Sequence, residues 1–220
     1  MNNRHLPSLP LPPAGEGRGE SLSAPIAAAM LALTLAGCTT LPATRYYSLA
    51  PPLQSAPAST LQIELPPLAL PERLVRPQMV VRTAANPFDV LDQHRWSASF
   101  DSELHDALAS GITQQLGAID VTVGGRLVSQ PIYRIAVQLR QWDAAVGSQV
   151  QASFSWTIRR SDSTANSNRS LACQWSQSEP VGAGIAALAE GAQRLIHRAA
   201  QSMAAAVQAL EADTVALCPN

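Results

Sequence analysis

The apolar positions of this chain follow two periods, and the switches between them mark out its elements. Leu61 to Leu65 alternates and stops at Pro66-Pro67, which predicts a strand followed by a turn. Gln78 to Thr83 reads as a second strand, Asn86-Pro87 supplies a turn, and Phe88 to Leu91 can pair back as a short third strand. The period then lengthens. Trp96, Phe100, Leu104, Leu108, Ile112 and Leu116 fall every four residues and predict a helix from about Ser97 to Leu116, with Ser97 or Ser99 as its cap and Gly117 as its stop.

Ile119 to Val123 returns to a strand pattern and closes at Gly124-Gly125. From Ile132 to Trp142, Tyr133, Ile135, Val137 and Leu139 share one face, with Arg134, Gln138 and Arg140 on the other. Asp143 to Ala145 reads as a hairpin connection to a strand with Val146, Val150, Ala152, Phe154, Trp156 and Ile158 inward and Gln149, Gln151, Ser153, Ser155 and Thr157 outward. A polar loop, Arg159 to Arg169, precedes a last strand carrying Leu171, Cys173 and Trp175. The chain closes on a long helix whose stripe is Ile185, Leu188, Ala192, Leu195, Ala199, Met203, Ala206 and Leu210, with alanines that permit close approach. This order predicts an α/β fold of the α+β type: a single antiparallel-rich mixed sheet with two long helices packed on one face.

The start of the chain has a different character. Ala24 to Ala36 is apolar but shorter than the roughly 20 residues a membrane span needs. It reads as a signal-peptide core, followed at once by Leu35-Ala36-Gly37-Cys38. That tetrapeptide resembles the bacterial lipobox. The resemblance implies removal of residues 1–37 and a Cys38 that carries diacylglycerol on its thiol and an acyl chain on its amine. Two or three acyl chains make such an attachment effectively permanent. Thr39, where an Asp would retain the protein in the inner membrane, implies the periplasmic face of the outer membrane. Pro7 to Glu20 is Pro- and Gly-rich, and Glu16 and Glu20 offset Arg18 where a signal should be positive, which points to a translation start further downstream. Residues 38–60 then form a lipidated N-terminus and a tether containing Pro51, Pro52 and Pro57, interrupted by an apolar island, Tyr46 to Leu49, that should dock as an edge strand. Residues 61–220 are the expected domain.

Composition narrows the function. At 46% hydrophobic, 14% charged and a net charge of -1, the chain is globular and has no basic excess to attract nucleic acid. With Cys38 lipidated, Cys173 and Cys218 remain; an oxidising periplasm allows a disulfide between them, the alternative being a buried free Cys173 and an exposed Cys218. Neither has a CxxC partner or a nearby His, so no metal is expected, and no cofactor beyond the covalent lipid. Asp101, Glu103, His105 and Asp106 make the densest polar cluster, but acidic residues belong at a helix start, so a solvated helix face is expected there. His94 and His197 have no partner at ligand spacing, and His5 should leave with the signal. No GxSxG elbow, Walker-type loop or HExxH helix occurs, and no enzyme is expected. Trp96 and Trp156 lie on apolar stripes. Trp142 falls on the polar phase of its strand and, with Arg140, is the expected partner contact.

Several segments in order carry a family resemblance: the lipobox, Arg45-Tyr46-Tyr47-Ser48-Leu49, the stretch Leu68 to Arg82 with Arg76-Pro77-Gln78-Met79-Val80-Val81-Arg82, Arg95-Trp96 with the amphiphilic stretch to Leu116, the Trp156 strand and the terminal helix. Over nearly all of residues 38 to 212 the chain resembles the PqiC-type ABC-transport auxiliary lipoproteins. The resemblance implies the outer-membrane end of a transenvelope lipid-transport system, with an MCE-domain protein bridging the periplasm and an inner-membrane permease as partners, and a homo-oligomer to match them. It brings no catalytic residues. The alternative is a carrier holding an acyl chain between sheet and helices, which needs a connected apolar cavity of several hundred Å³, where a scaffold needs only a close-packed core.

Overall fold

The structure, a computed structural model, describes residues 42–50, 59–127, 130–161, 169–212 and 218. The signal segment, Cys38, Thr39 and the prolines at 51, 52 and 57 lie outside the described residues. All described residues except Pro42 belong to one compact unit, Ala43–Asn220.

The elements run β1 (Arg45–Tyr47), β2 (Gln62–Glu64), a 3-10 turn (Glu72–Leu74), β3 (Gln78–Val81), β4 (Asp89–Trp96), α1 (Phe100–Leu116), β5 (Ile119–Asp120), a single turn α2 (Val121–Gly124), β6 (Ile132–Ala145), β7 (Gln149–Ser161), β8 (Ser170–Pro180) and α3 (Ile185–Glu211). The α+β class is as expected. The strands divide into two sheets, however, where one was anticipated. A three-stranded sheet has the order β1-β4-β3 and a five-stranded sheet the order β5-β2-β6-β7-β8. In the larger sheet β2 is parallel to both β5 and β6, while β6, β7 and β8 form an antiparallel meander. A bridge from Arg82, just past β3, to Ala145 at the end of β6 joins the two sheets, with Arg82 N–H donating to Ala144 O at 2.7 Å.

The core lies between the larger sheet and the helices. Tyr133, Ile135, Val137 and Leu139 of β6, Val150, Ala152, Phe154, Trp156 and Ile158 of β7, and Cys173 and Trp175 of β8 are all buried. Against them lies α3, buried along Leu188, Ala192, Leu195, Ala199, Met203, Ala206 and Leu210. Alongside α3 packs α1, whose Phe100, Leu104, Leu108, Ile112 and Leu116 are buried and whose end is set by Gly117 at φ 61°. The two helices approach closely: a Cβ placed on Gly111 would sit 2.7 Å from the Ala200 Cβ.

Local chemistry explains where the elements depart from the periodicity. Trp96 ends β4 instead of opening α1, because that strand runs eight residues and pairs with β1 along Arg45↔His94, Tyr46↔Arg95 and Tyr47↔Trp96. Asp120 stops β5 after two residues: its carboxylate accepts the Thr122 N–H at 2.9 Å and caps the turn that follows, so Val121 to Val123 are not strand. The β6–β7 hairpin turns at Val146-Gly147, Gly147 having φ 71°, so Asp143 to Ala145 remain strand and Val146 is exposed.

Candidate functional site

Trp142 is buried, at 6% exposure, and packs on Phe100 of α1 with ring centroids 4.8 Å apart. The expected surface contact is therefore overturned, and a β-bulge is the reason. Along β6 and β7, Leu139 faces Phe154 and Gln141 faces Ser153, so Arg140 is the extra residue. One extra residue reverses the alternation, which sends Trp142 and Ala144 inward and leaves Arg140 and Gln141 exposed. Arg140 stays at the surface, parted from Trp142.

Beside the bulge, β6 has lost its neighbour β2, which pairs only as far as Arg134. The gap is crossed by the strap Pro66–Pro71, pinned by Ala69 N–H donating to Val137 O at 3.2 Å and Leu139 N–H donating to Ala69 O at 2.8 Å. Prolines at 66, 67 and 71 lack the N–H to extend the pairing, so the strap stays a single bridge. Open grooves flank it. One, about 590 Å³, lies on the polar outer face of the sheet, with Arg134, Gln138, Ser155, Thr157 and Gln174 among its walls. A second, about 500 Å³, runs between the strap and α1, lined by Leu68, Leu70, Val75, Asp101, Ser102 and His105. A third, about 330 Å³, includes Leu70, Pro71 and Arg140. The strap and its grooves were not foreseen; the only hint was the density of proline between two apolar segments.

The acidic cluster at the start of α1 disperses into separate roles. Glu103, expected on a solvated face, is only 7% exposed. Its carboxylate accepts the Leu49 N–H at 2.8 Å, the Ser48 hydroxyl at 3.0 Å and the Ser97 hydroxyl. It ties the residues after β1, including fully buried Leu49, to the helix. Gln193 of α3 adds a bond of 2.7 Å to Ser48 O. Asp106 is exposed and sits 3.2 Å from His105 Nδ1. His105 Nε2 lies 3.0 Å from Leu65 O, and a carbonyl can only accept, so this nitrogen carries a proton there. The ring thus offers no lone pair from Nε2 to activate Ser102 in the adjoining groove. His94 stacks on Tyr47 and meets its hydroxyl at 3.0 Å, and His197 contacts Gln201, both ordinary structural or surface positions. Among the described residues no three His, Cys, Asp or Glu side chains converge as metal ligands.

Charge pairs and a disulfide hold the edges. Glu179, at the end of β8, accepts hydrogen bonds from Arg194 and Arg198 of α3, which hold its carboxyl below the ordinary carboxylate range. The Asp143 carboxylate, hydrogen-bonded and close in charge, raises the Arg82 guanidinium further still. Cys173 and Cys218 are joined, Cα to Cα 5.5 Å, so the tail after α3 is stitched back to β8. No helix among the described residues is long and apolar enough to cross a membrane.

The family model described as the ABC-type transport auxiliary lipoprotein component matches residues 47–204. Among solved structures, an uncharacterized protein aligns with a TM-score of 0.56 at 14% identity, covering 74% of this chain and 97% of its own. A Xanthomonas campestris protein of the DUF330 family aligns with the same TM-score and identity, over 77% of this chain and 97% of its own. At that identity the likeness is one of fold. No curated protein matches the chain significantly.

Proposed function

The chain belongs to the ABC-type transport auxiliary lipoprotein family, and from that premise we propose that it is the outer-membrane-anchored periplasmic subunit of a transenvelope lipid-transport system of the MCE type. In this reading Cys38 carries the lipid. The domain docks the periplasm-spanning MCE protein, fed by an inner-membrane permease, at the outer membrane, and it performs no catalysis.

Packing is the observation that favours docking over carrying. An acyl chain held between sheet and helices would need a connected cavity there. Instead that space is filled by residues such as Leu104, Ile112, Phe154, Trp156, Leu195 and Met203, each 2% exposed or less, and α1 and α3 touch at Gly111 and Ala200. The described grooves lie on the outside, around the strap, where a partner's side chains can enter. The test is a native pull-down of the acylated protein from solubilised envelopes, read by mass spectrometry for proteins and lipids together. Recovery of an MCE-domain protein, with no stoichiometric lipid in this subunit, is expected. One lipid per chain without such a partner would replace docking by the carrier reading.

A further inference from the structure

The strap across the gap beside β6 has two edges. Ala69 turns both of its backbone groups to β6, in its bonds to Val137 and Leu139. Neighbours in an extended segment alternate, so Leu68 and Leu70 turn their N–H and C=O away from β6. No described residue bonds to those four groups. Both residues line the groove between the strap and α1. Pro66, Pro67 and Pro71 bracket the stretch, so a strand added here pairs with these two residues and no further.

The walls of that groove define what can enter it. Half-buried Leu68 and Leu70 and exposed Val75 make one side apolar. The first turns of α1 contribute Asp101, Ser102 and His105, and no Arg lines the groove. Asp101 Oδ1 is closed off from solvent and meets no donor, so a cation brought to the other oxygen offsets a cost that the chain leaves standing. Arg76, whose carbonyl accepts the Phe100 N–H at 3.1 Å, forms no ion pair with Asp101, and its own Nε is buried without a partner. Nor do the stretches outside the described residues hold a cation in reserve. After residue 38 they contain no Arg, and the whole chain has no Lys.

We propose that this groove binds an extended segment of another protein by strand addition to Leu68 and Leu70, and that the segment carries an aliphatic residue two positions from a Lys or Arg. Residues two apart on a strand point to one side. The aliphatic side chain enters beside Leu68, Leu70 and Val75, and the cation meets Asp101. The backbone bonds supply affinity, and these two side chains supply specificity. Naming the segment's owner as the periplasm-spanning partner rests on the docking reading above; the chemistry of the groove does not.

The experiment is selection of a random decapeptide display library on the full acylated chain in detergent, followed by fluorescence anisotropy with an enriched peptide. Wild type should enrich an aliphatic residue two positions from Lys or Arg. Asp101→Asn should weaken the enriched peptide roughly tenfold, and Asp101→Lys should select Asp or Glu at the basic position. Both variants should stay folded, with only the small fall in thermal midpoint expected when a first-turn carboxylate leaves a helix. N-methylation of the peptide on alternate residues separates strand addition from side-chain capture. One phase should weaken binding roughly tenfold or more, and the other should leave it in place. No pattern from wild type, the result if the chain itself or a second copy fills the groove, would overturn the proposal. So would a pattern that Asp101→Lys leaves unchanged, or equal effects of the two methylation phases. The envelope pull-down separates this inference from the docking reading. An MCE-domain protein recovered equally by wild type and Asp101→Lys would leave docking intact and remove this groove from it. The peptide pattern selected by a chain that recovers no such protein would uphold the groove and end the docking reading.

Discussion

Replacing Glu103 tests how the N-terminal segment is fixed to the domain. The carboxylate accepts from Leu49 N–H at 2.8 Å, from Ser48 at 3.0 Å and from Ser97, and Leu49 is fully buried. In Glu103→Ala the Leu49 N–H loses its acceptor where water cannot replace it, and an orphaned buried donor costs roughly 1–3 kcal/mol. The two hydroxyls are only part-buried and can turn to other acceptors, so their loss adds less. The sum is about 2–4 kcal/mol, a large part of the roughly 5–15 kcal/mol that holds a domain together. Glu103→Gln should behave differently. Its remaining oxygen can serve Leu49 and Ser48, and the Ser97 hydroxyl can rotate to accept from the new amide, so the loss should stay under about 1 kcal/mol. Urea unfolding gives the global change, and hydrogen exchange at the Leu49 amide gives the local one. If Glu103→Ala shifted stability by less than about 0.5 kcal/mol and left the Leu49 amide protected, the carboxylate would not be the tie and the reasoning would fail.

Other perturbations have directions set by the same geometry. Trp142→Ala should cost roughly 3–5 kcal/mol in thermal or denaturant unfolding, because the indole is core and not surface; a near-neutral result would refute the bulge-driven inversion. Gly191→Ala would drive a Cβ to 2.2 Å from Val181 Cγ1, and overpacking of this kind costs about 1–3 kcal/mol, visible as a lowered thermal midpoint. Cys218→Ser opens a link across 45 residues and should destabilise the chain by about 4 kcal/mol on the chain-entropy account, an effect that reductant should reproduce in the wild type and not in the variant. Because the carboxyl of Glu179 titrates lower folded than unfolded, its stabilisation is present above the unfolded carboxylate range and is lost as pH falls through the folded value; Glu179→Gln should flatten the acid limb of the stability profile and leave its alkaline side unchanged.

The elements legible in the sequence were those whose side chains obey one period over many residues. Strand β7 and helix α3 are the clearest: alternation through Ile158 in one, which the structure extends over Arg159 to Ser161 of the expected loop, and in the other a stripe carried to Leu210 by alanines and leucines. What stayed illegible was set by single residues that interrupt a period. Arg140 looks like another outward residue of β6, yet as the bulge it reverses the two inward positions after it. Asp120 looks like an ordinary strand end, yet its carboxylate begins a helical turn two residues on. Both effects arise from hydrogen bonds that periodicity does not encode. The division into two sheets escaped for a related reason, since β1 is only three residues long and its partner β4 reads as strand only over its first three residues, Asp89 to Leu91.

The site was less legible than the fold because its parts gain their roles from distant sequence. Glu103 reads as a helix-dipole residue until Leu49, 54 positions earlier, is laid against it. Its burial then bears on how the proposed lipid tether would join the domain. Cys38, the proposed lipid site, lies outside the described residues; the first described segment joins the domain at β1, where three backbone pairings to β4 and the Glu103 and Gln193 contacts tie it to both long helices. A pull on this segment therefore reaches α1 through a charge-assisted bond and α3 through an amide. Under the proposed docking role, that is the arrangement in which displacement of a lipid anchor would be passed to the whole domain. It is also why the same buried carboxylate, and not one of the open grooves, is the first place where losing one side chain should uncouple attachment from fold.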